Sequence, residues 1–177
     1  MRRIATVGHS TRAPGELEQL LDSHRVDLLV DVRTSPRSRR LPHFDKPALA
    51  ESMRAAGIAY LHMPDLGGFR KPVPASPNGG WDHPGFKGYA DHMATEQFTA
   101  ALRELEAQAG TVSTAIMCAE REWWRCHRRL IADALTVRGW EVVHLGLGVP
   151  RPHELTPFAL VDGTRITYPP VQATLPV

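Results

Sequence analysis

Cys118 and Cys126 are the chain's two cysteines, and they fall within one short stretch. It reads Thr114-Ala-Ile-Met-Cys-Ala-Glu-Arg-Glu-Trp-Trp-Arg-Cys-His-Arg128, so Glu120 lies between the thiols and His127 and Arg128 follow them. A thiol becomes a nucleophile when a cation or a helix N-terminus stabilises its thiolate. Arg125, Arg128 and Arg129 supply the cations, and a helix predicted to open near Cys126 supplies the dipole. Cys118, at the end of an apolar run, is the first candidate and Cys126 the second. Glu120, directly after that run, must be solvated, paired with an arginine, or used for proton transfer. His127 and His9 are the imidazole candidates for acid/base work.

A second group of residues fits anion binding. Arg33-Thr-Ser-Pro-Arg-Ser-Arg-Arg40 carries four arginines and no acid. Guanidinium forks match phosphate oxygens two at a time. Arg33, Arg37, Arg39 and Arg128 are therefore expected to hold an anion, with Ser10, Asp31 and Cys126 beside them. A solvated basic loop is the plainer reading of the same run. Metal binding needs three or four converging ligands. His9, Asp31, Cys118, Glu120, Cys126 and His127 include suitable types, but no local pair has a spacing characteristic of zinc sites. No metal and no cofactor is assigned.

These residues must be positioned by strands and helices. Ile4–Val7 is rich in β-formers and stops at Gly8. Pro14–Ser23 places Leu17, Leu20 and Leu21 on a helical face. Val26–Val32 is nearly continuous apolar sequence, as in a strand buried on both faces of a parallel sheet. Lys46–Ala56 is helical and ends at Gly57; Ile58–Met63 is a third strand. Thr95–Ala109 is an amphipathic helix, Thr114–Cys118 a fourth strand, Cys126–Arg138 a helix ending at Gly139, and Glu141–Leu145 a fifth strand. Asp162-Gly163 between two β-prone runs signals a C-terminal hairpin within residues 157–169.

Strands alternating with helices predict a single α/β domain over residues 1–177: three layers, a mainly parallel five-stranded sheet, and helices on both faces. Gly8-His9-Ser10, Asp31/Arg33, His62 with Leu66-Gly-Gly68, and Cys118/Glu120 all follow strands. In a parallel sheet they share one rim, where open α/β sheets bind ligands. Residues 66–88 contain six glycines and four prolines. A lid-like loop is expected there, with Phe69, Trp81 and Phe86 to anchor it.

Several pieces resemble the uncharacterised DUF488 family: Thr6-Val-Gly-His-Ser10, Val30-Asp-Val-Arg33, Pro36-Arg-Ser-Arg39, Leu66-Gly-Gly68, Gly85-Phe-Lys-Gly-Tyr-Ala90, Met117-Cys-Ala-Glu120 and Cys126-His-Arg128. Gly67, Gly68 and Tyr89 lie in these shared motifs and are included in the binding surface. Members often carry a proline between the two cysteines, where this chain has Glu122-Trp123-Trp124. The resemblance implies a fold and a site, and no reaction. The strand–Cys-loop–helix unit also looks like that of rhodaneses and Cys-dependent phosphatases. Cys118-x6-Arg125 is one residue longer than their Cys-x5-Arg, so that likeness is topological.

A net charge of +2 over 177 residues does not by itself mark a nucleic-acid binder. The chain has no apolar run near the ~20 residues a membrane helix needs. Two cysteines cannot build a disulfide framework, so a cytoplasmic protein with reduced thiols is expected. Three functions fit these residues. The first is an enzyme, a hydrolase or transferase, acting on a phosphorylated, nucleotide or nucleic-acid substrate through Cys118 or Glu120. The second is a nucleic-acid-binding module without catalysis. The third is a redox switch closing a Cys118–Cys126 disulfide.

Overall fold

The structure, a computed structural model, describes residues 2–170. Five parallel strands, β1 (Arg3–Gly8), β2 (Leu28–Asp31), β3 (Ala59–His62), β4 (Thr114–Cys118) and β5 (Glu141–His144), lie in the order β3-β2-β4-β1-β5. A sixth strand, β6 (Arg151–Pro152), pairs antiparallel with β5 and makes the sheet mixed. The five-stranded expectation missed it because the Pro-rich run around Pro150 and Pro152 reads as a connector. A two-residue edge strand tolerates proline, since no ladder bond from its nitrogen is needed. Every residue of β2 and β4 is buried, as continuous apolar runs require of inner strands.

Helices cover both faces. α1 (Glu16–Ser23) and α2 (Lys46–Ala55) pack Leu17, Leu21, Leu49 and Met53 on Leu29, Ala115, Met117 and Val143. α3 (Pro84–His92), α4 (Glu96–Ala109) and α5 (Arg128–Thr136) pack Tyr89, Leu102, Leu105, Leu130 and Leu135 on Ile4, Leu28, Val30, Ile116 and Val142. Alternate residues of each strand thus feed separate cores, as the two-residue period of a strand demands. No helix among the described residues is long and apolar enough to cross a membrane.

Three local features differ from the sequence reading. α5 begins at Arg128, so Cys126 precedes the helix in extended backbone. Its amide is taken by the Trp123 carbonyl and its carbonyl by the Arg129 amide. The Cys126 amide is therefore not free to hold an anion. Second, α3 occupies the end of the expected loop. Pro84 at its first turn and the His83 ring accepting from the Gly85 amide start it. Gly88 is needed there because a Cβ would strike the Arg70 carbonyl.

Third, the rest of the loop is laced to the body. The Asp91 carboxylate accepts from the Val73 amide, the Ser76 hydroxyl and the Asn78 side chain. The hairpin forms as expected, from β7 (Leu160–Asp162) and β8 (Arg165–Thr167). It brings Tyr168 and Phe158 onto Trp81, which also stacks on Phe86 at 4.9 Å. Trp81 and Phe86 therefore anchor the segment as expected, whereas Phe69 is 95% exposed and anchors nothing.

Candidate active site

β1 and β4 are adjacent, yet their following segments leave in opposite directions. β1 leads toward β2 across one face, and β4 leads through α5 toward β5 across the other. Such a divergence opens a crevice at the strands' carboxyl ends. The register places Gly8 opposite Cys118, Asp31 opposite Met117, and Asp31 opposite His62. The strand-end residues therefore meet on one rim, and the His9 amide donates to the Cys118 carbonyl at 2.9 Å. A cleft of about 650 Å³ lies over that junction, with His9, Arg33, Cys118, Cys126 and His127 along its inner wall. Gly8 makes the junction possible: a Cβ there would overlap the Glu120 carbonyl.

The floor is a thiol–imidazole cluster. The His127 Nε2–H donates to the Val32 carbonyl at 2.9 Å, which orients the ring and turns Nδ1 toward the two sulfurs. That nitrogen stands 3.9 Å from Cys118 Sγ and 3.7 Å from Cys126 Sγ. The ring fits because residue 68 is glycine; a Cβ there would sit 3.0 Å from Nδ1. Both sulfurs are buried, and their protonation is divided. At Cys126 burial disfavours the thiolate, but the hydrogen bond with Cys118, the His127 ring and Arg128 together hold the thiol well below its ordinary value. Cys118 is held well above it by the hydrogen bond to Cys126 and by burial. The thiolate therefore belongs to Cys126, and the Arg128 Nε–H donates to its sulfur at 3.4 Å.

Beside the floor lies a buried ion pair. Arg33 gives Nε and Nη2 to the Asp31 carboxylate, with Nη2 at 2.6 Å from Oδ2, and the Tyr60 hydroxyl donates to the same oxygen at 2.6 Å. Nη1 is left, 3.3 Å from His9 Nε2. His9 donates from Nδ1 to the Ser10 carbonyl and stacks on Phe44, so Nε2 is the acceptor for Arg33. Burial lowers the His9 pKa to about 4, and Arg33 adds to the effect while the Ser10 hydrogen bond opposes it. At neutral pH this wall offers a neutral imidazole and one guanidinium edge.

The rim is exposed. Arg37, Arg125, Phe69, Trp124 and Glu120 border the cleft, and Phe69 is 95% exposed. Glu120 is the only carboxylate among the lining residues, and it makes no hydrogen bond or ion pair with the described residues. The loop that carries it is fixed from below. Trp123 stacks flat on His144, with centroids 4.0 Å apart and planes 3° from parallel. That contact sets the course of the loop between the two cysteines.

Among the sequence candidates, Cys118, Cys126, His127, His9, Glu120, Arg33, Arg37, Gly68 and Tyr89 border the cleft. Asp31, Ser10 and Gly67 stand behind it: Asp31 aims Arg33, Ser10 fixes the His9 tautomer, and Gly67 lets the chain pass Thr34. Arg39 is exposed and outside the lining. Arg128 is not a free anion clamp. It is 1% exposed and bonded to Cys126 Sγ, Thr6 Oγ1 and the Glu120 carbonyl. Thr34, His83 and Arg125 on the lining were not singled out as binding residues. Pro84 after His83 was the available signal, as a helix start that points its first turn at the cleft.

The fold and the crevice define an open α/β protein with a strand-end site. The chain belongs to the family described as domain of unknown function DUF488, whose model matches residues 14–135. That stretch includes Arg33, Cys118, Glu120, Cys126 and His127, while His9 lies just before it. No curated protein and no solved structure matches the chain.

Proposed function

We propose that the cleft is the active site of a hydrolase or transferase acting on a phosphorylated, nucleotide-like substrate. The supporting observation is what one cleft gathers: a thiol–imidazole floor, three arginines, a lone carboxylate and two exposed aromatic rings. In this reading Arg33 Nη1, Arg37 and Arg125 hold the anion. Phe69 and Trp124 offer faces on which a base can stack. The reaction takes place over Cys118, Cys126 and His127, and Glu120 at the rim moves a proton.

The test is a thermal-stability screen with inorganic phosphate, nucleoside monophosphates, single-stranded RNA and DNA, and chloride at matched ionic strength. Nucleoside monophosphates should raise the melting temperature more than phosphate, and phosphate more than chloride. An Arg37→Ala/Arg125→Ala double variant should lose most of the difference. A variant that responds as wild type does would contradict the reading. The exposed run from Arg37 to Arg40 favours a second reading, a nucleic-acid-binding module. Steep salt dependence of RNA or DNA binding without turnover would select it. A thiol switch draws on the closeness of the two sulfurs. It requires that peroxide remove two hydrogens to form a disulfide, and that oxidation reversibly change ligand binding.

A further inference from the structure

We infer that Cys118, Cys126 and His127 form a binding site for one thiophilic divalent cation, zinc being the best fit, with its fourth position open to the cleft. The three donor atoms lie within 4.8 Å of one another, with the imidazole nitrogen at 3.9 and 3.7 Å from the two sulfurs. A tetrahedral zinc with bonds of about 2.3 Å to sulfur and about 2.0–2.1 Å to nitrogen holds S and N roughly 3.6 Å apart and two sulfurs roughly 3.8 Å apart. The cluster matches that spacing with small side-chain movements.

The surroundings fit as well. His127 Nδ1 already faces the sulfurs, because its other nitrogen is tied to the Val32 carbonyl. Metal-bound histidines characteristically donate their second N–H in this way. The Arg128 Nε–H on Cys126 Sγ supports a thiolate there. Two thiolates and an imidazole suit zinc over magnesium or calcium, which prefer oxygen. Three protein ligands with an open fourth position are the pattern of catalytic zinc, whereas structural sites are closed by a fourth ligand.

Binding is an exchange of protons for metal. Two thiols and one divalent cation give two metal–sulfur bonds and release the thiol protons not already lost. No electrons move. A water in the fourth position would be acidified by the cation, with Glu120 on the rim as the nearest carboxylate of the lining. Only the role of that fourth position rests on the proposed function; the metal site itself does not.

The test is an anaerobic titration of the reduced full chain with cobalt(II), followed by zinc. One equivalent of cobalt should produce a thiolate-to-cobalt charge-transfer band with the intense visible bands of a tetrahedral site. One equivalent of zinc should abolish both, and magnesium should do nothing. Cys126→Ser and Cys118→Ser should each weaken zinc binding by more than the roughly 10–100-fold that outer-shell partners are worth. If either serine variant fails to fold by circular dichroism, His127→Gln tests the same ligand set, and Glu120→Gln should retain the bands. Weak octahedral cobalt spectra, or bands that survive Cys126→Ser or His127→Gln, would overturn the inference. A phosphate-stability series run beside it separates the two proposals. Phosphate stabilisation without cobalt bands sinks the metal site alone, and cobalt bands without phosphate stabilisation sink the anion site alone.

Discussion

Two polar clusters are buried on the same face of the sheet, and they are built on opposite terms. In the first, the side chains of Thr6, His144, His153 and Asp133 satisfy one another. The Thr6 hydroxyl faces His144 Nδ1 at 2.7 Å, His144 Nε2 faces His153 Nδ1 at 3.0 Å, and His153 Nε2 faces Asp133 at 2.8 Å. One assignment of protons satisfies the whole chain, each group donating to the next and the last to a carboxylate. Asp133 also accepts from the Thr156 amide and the Tyr168 hydroxyl. In the second, Cys118, Cys126 and His127 turn two sulfurs and one ring nitrogen toward one another on the wall of an open cleft. Arg128 touches both clusters, through Thr6 and through Cys126. A buried network closed on itself fixes a fold. On the proposed reading, a cluster that borders an open cleft is arranged for something that arrives from outside.

The comparison breaks first at Asp133. Asp133→Ala removes the acceptor of three buried donors and should cost about 3–5 kcal/mol of stability. Denaturant unfolding measures it. A cost below about 1 kcal/mol would mean that the closed chain does not hold the C-terminal segment.

Changes in the open cluster should divide the other way. Cys126→Ser and Cys118→Ser are nearly isosteric and should each cost less than about 1.5 kcal/mol. Each should nevertheless abolish turnover of the substrate that the ligand screen identifies. Glu120→Gln, on an exposed side chain, should leave stability within about 0.5 kcal/mol and slow turnover roughly 10²–10⁴-fold. If the serine variants unfold early and bind ligand normally, the open cluster is structural too.

Acid sharpens the contrast. Burial, with help from His153 and Arg128, lowers the His144 pKa from 6.5 to about 3. The unfolded chain therefore takes up a proton near pH 6.5 that the folded chain refuses. Stability is fully present above pH 6.5 and falls by up to about 1.4 kcal/mol per pH unit below it, until the folded group itself titrates. Replacing His144 with Gln should flatten the part of the melting-temperature profile between pH 6.5 and 5, whatever it does to stability at pH 8. An unchanged slope would remove His144 from the account.

The smallest effect on stability belongs to the rim. Phe69 is 95% exposed, so Phe69→Ala should leave stability within about 0.5 kcal/mol. If a base stacks on it, nucleotide binding should weaken by about 1–3 kcal/mol while inorganic phosphate binding stays the same. Equal loss for both ligands would assign Phe69 a role other than stacking.

Much of the sheet and one side of the site could be read from local signals. Apolar runs ending in Gly8, Asp31 and Cys118 marked parallel strands, and their ends marked the rim. Local signals fail where partners are distant in sequence. Arg128 reads as an anion clamp until Thr6 and the Glu120 carbonyl occupy it. Cys118-x7-Cys126-His127 has no zinc-like spacing, and the three converge because Trp123 folds the loop onto His144 while Val32 turns the His127 ring. α3 was hidden because Gly85 and Gly88 look like loop residues, and Gly88 is there for the close approach of Arg70.

The central claim is that the open cluster at the β1/β4 junction is where a ligand is held. The most direct measurement is X-ray diffraction, with anomalous data at the zinc edge, from crystals grown with zinc and a nucleoside monophosphate. The expected result is one anomalous peak bonded to Cys118 Sγ, Cys126 Sγ and His127 Nδ1, with the phosphate beside it against Arg33 Nη1. Bare thiols, with the nucleotide on the Arg39–Arg40 edge outside the cleft, would contradict the account.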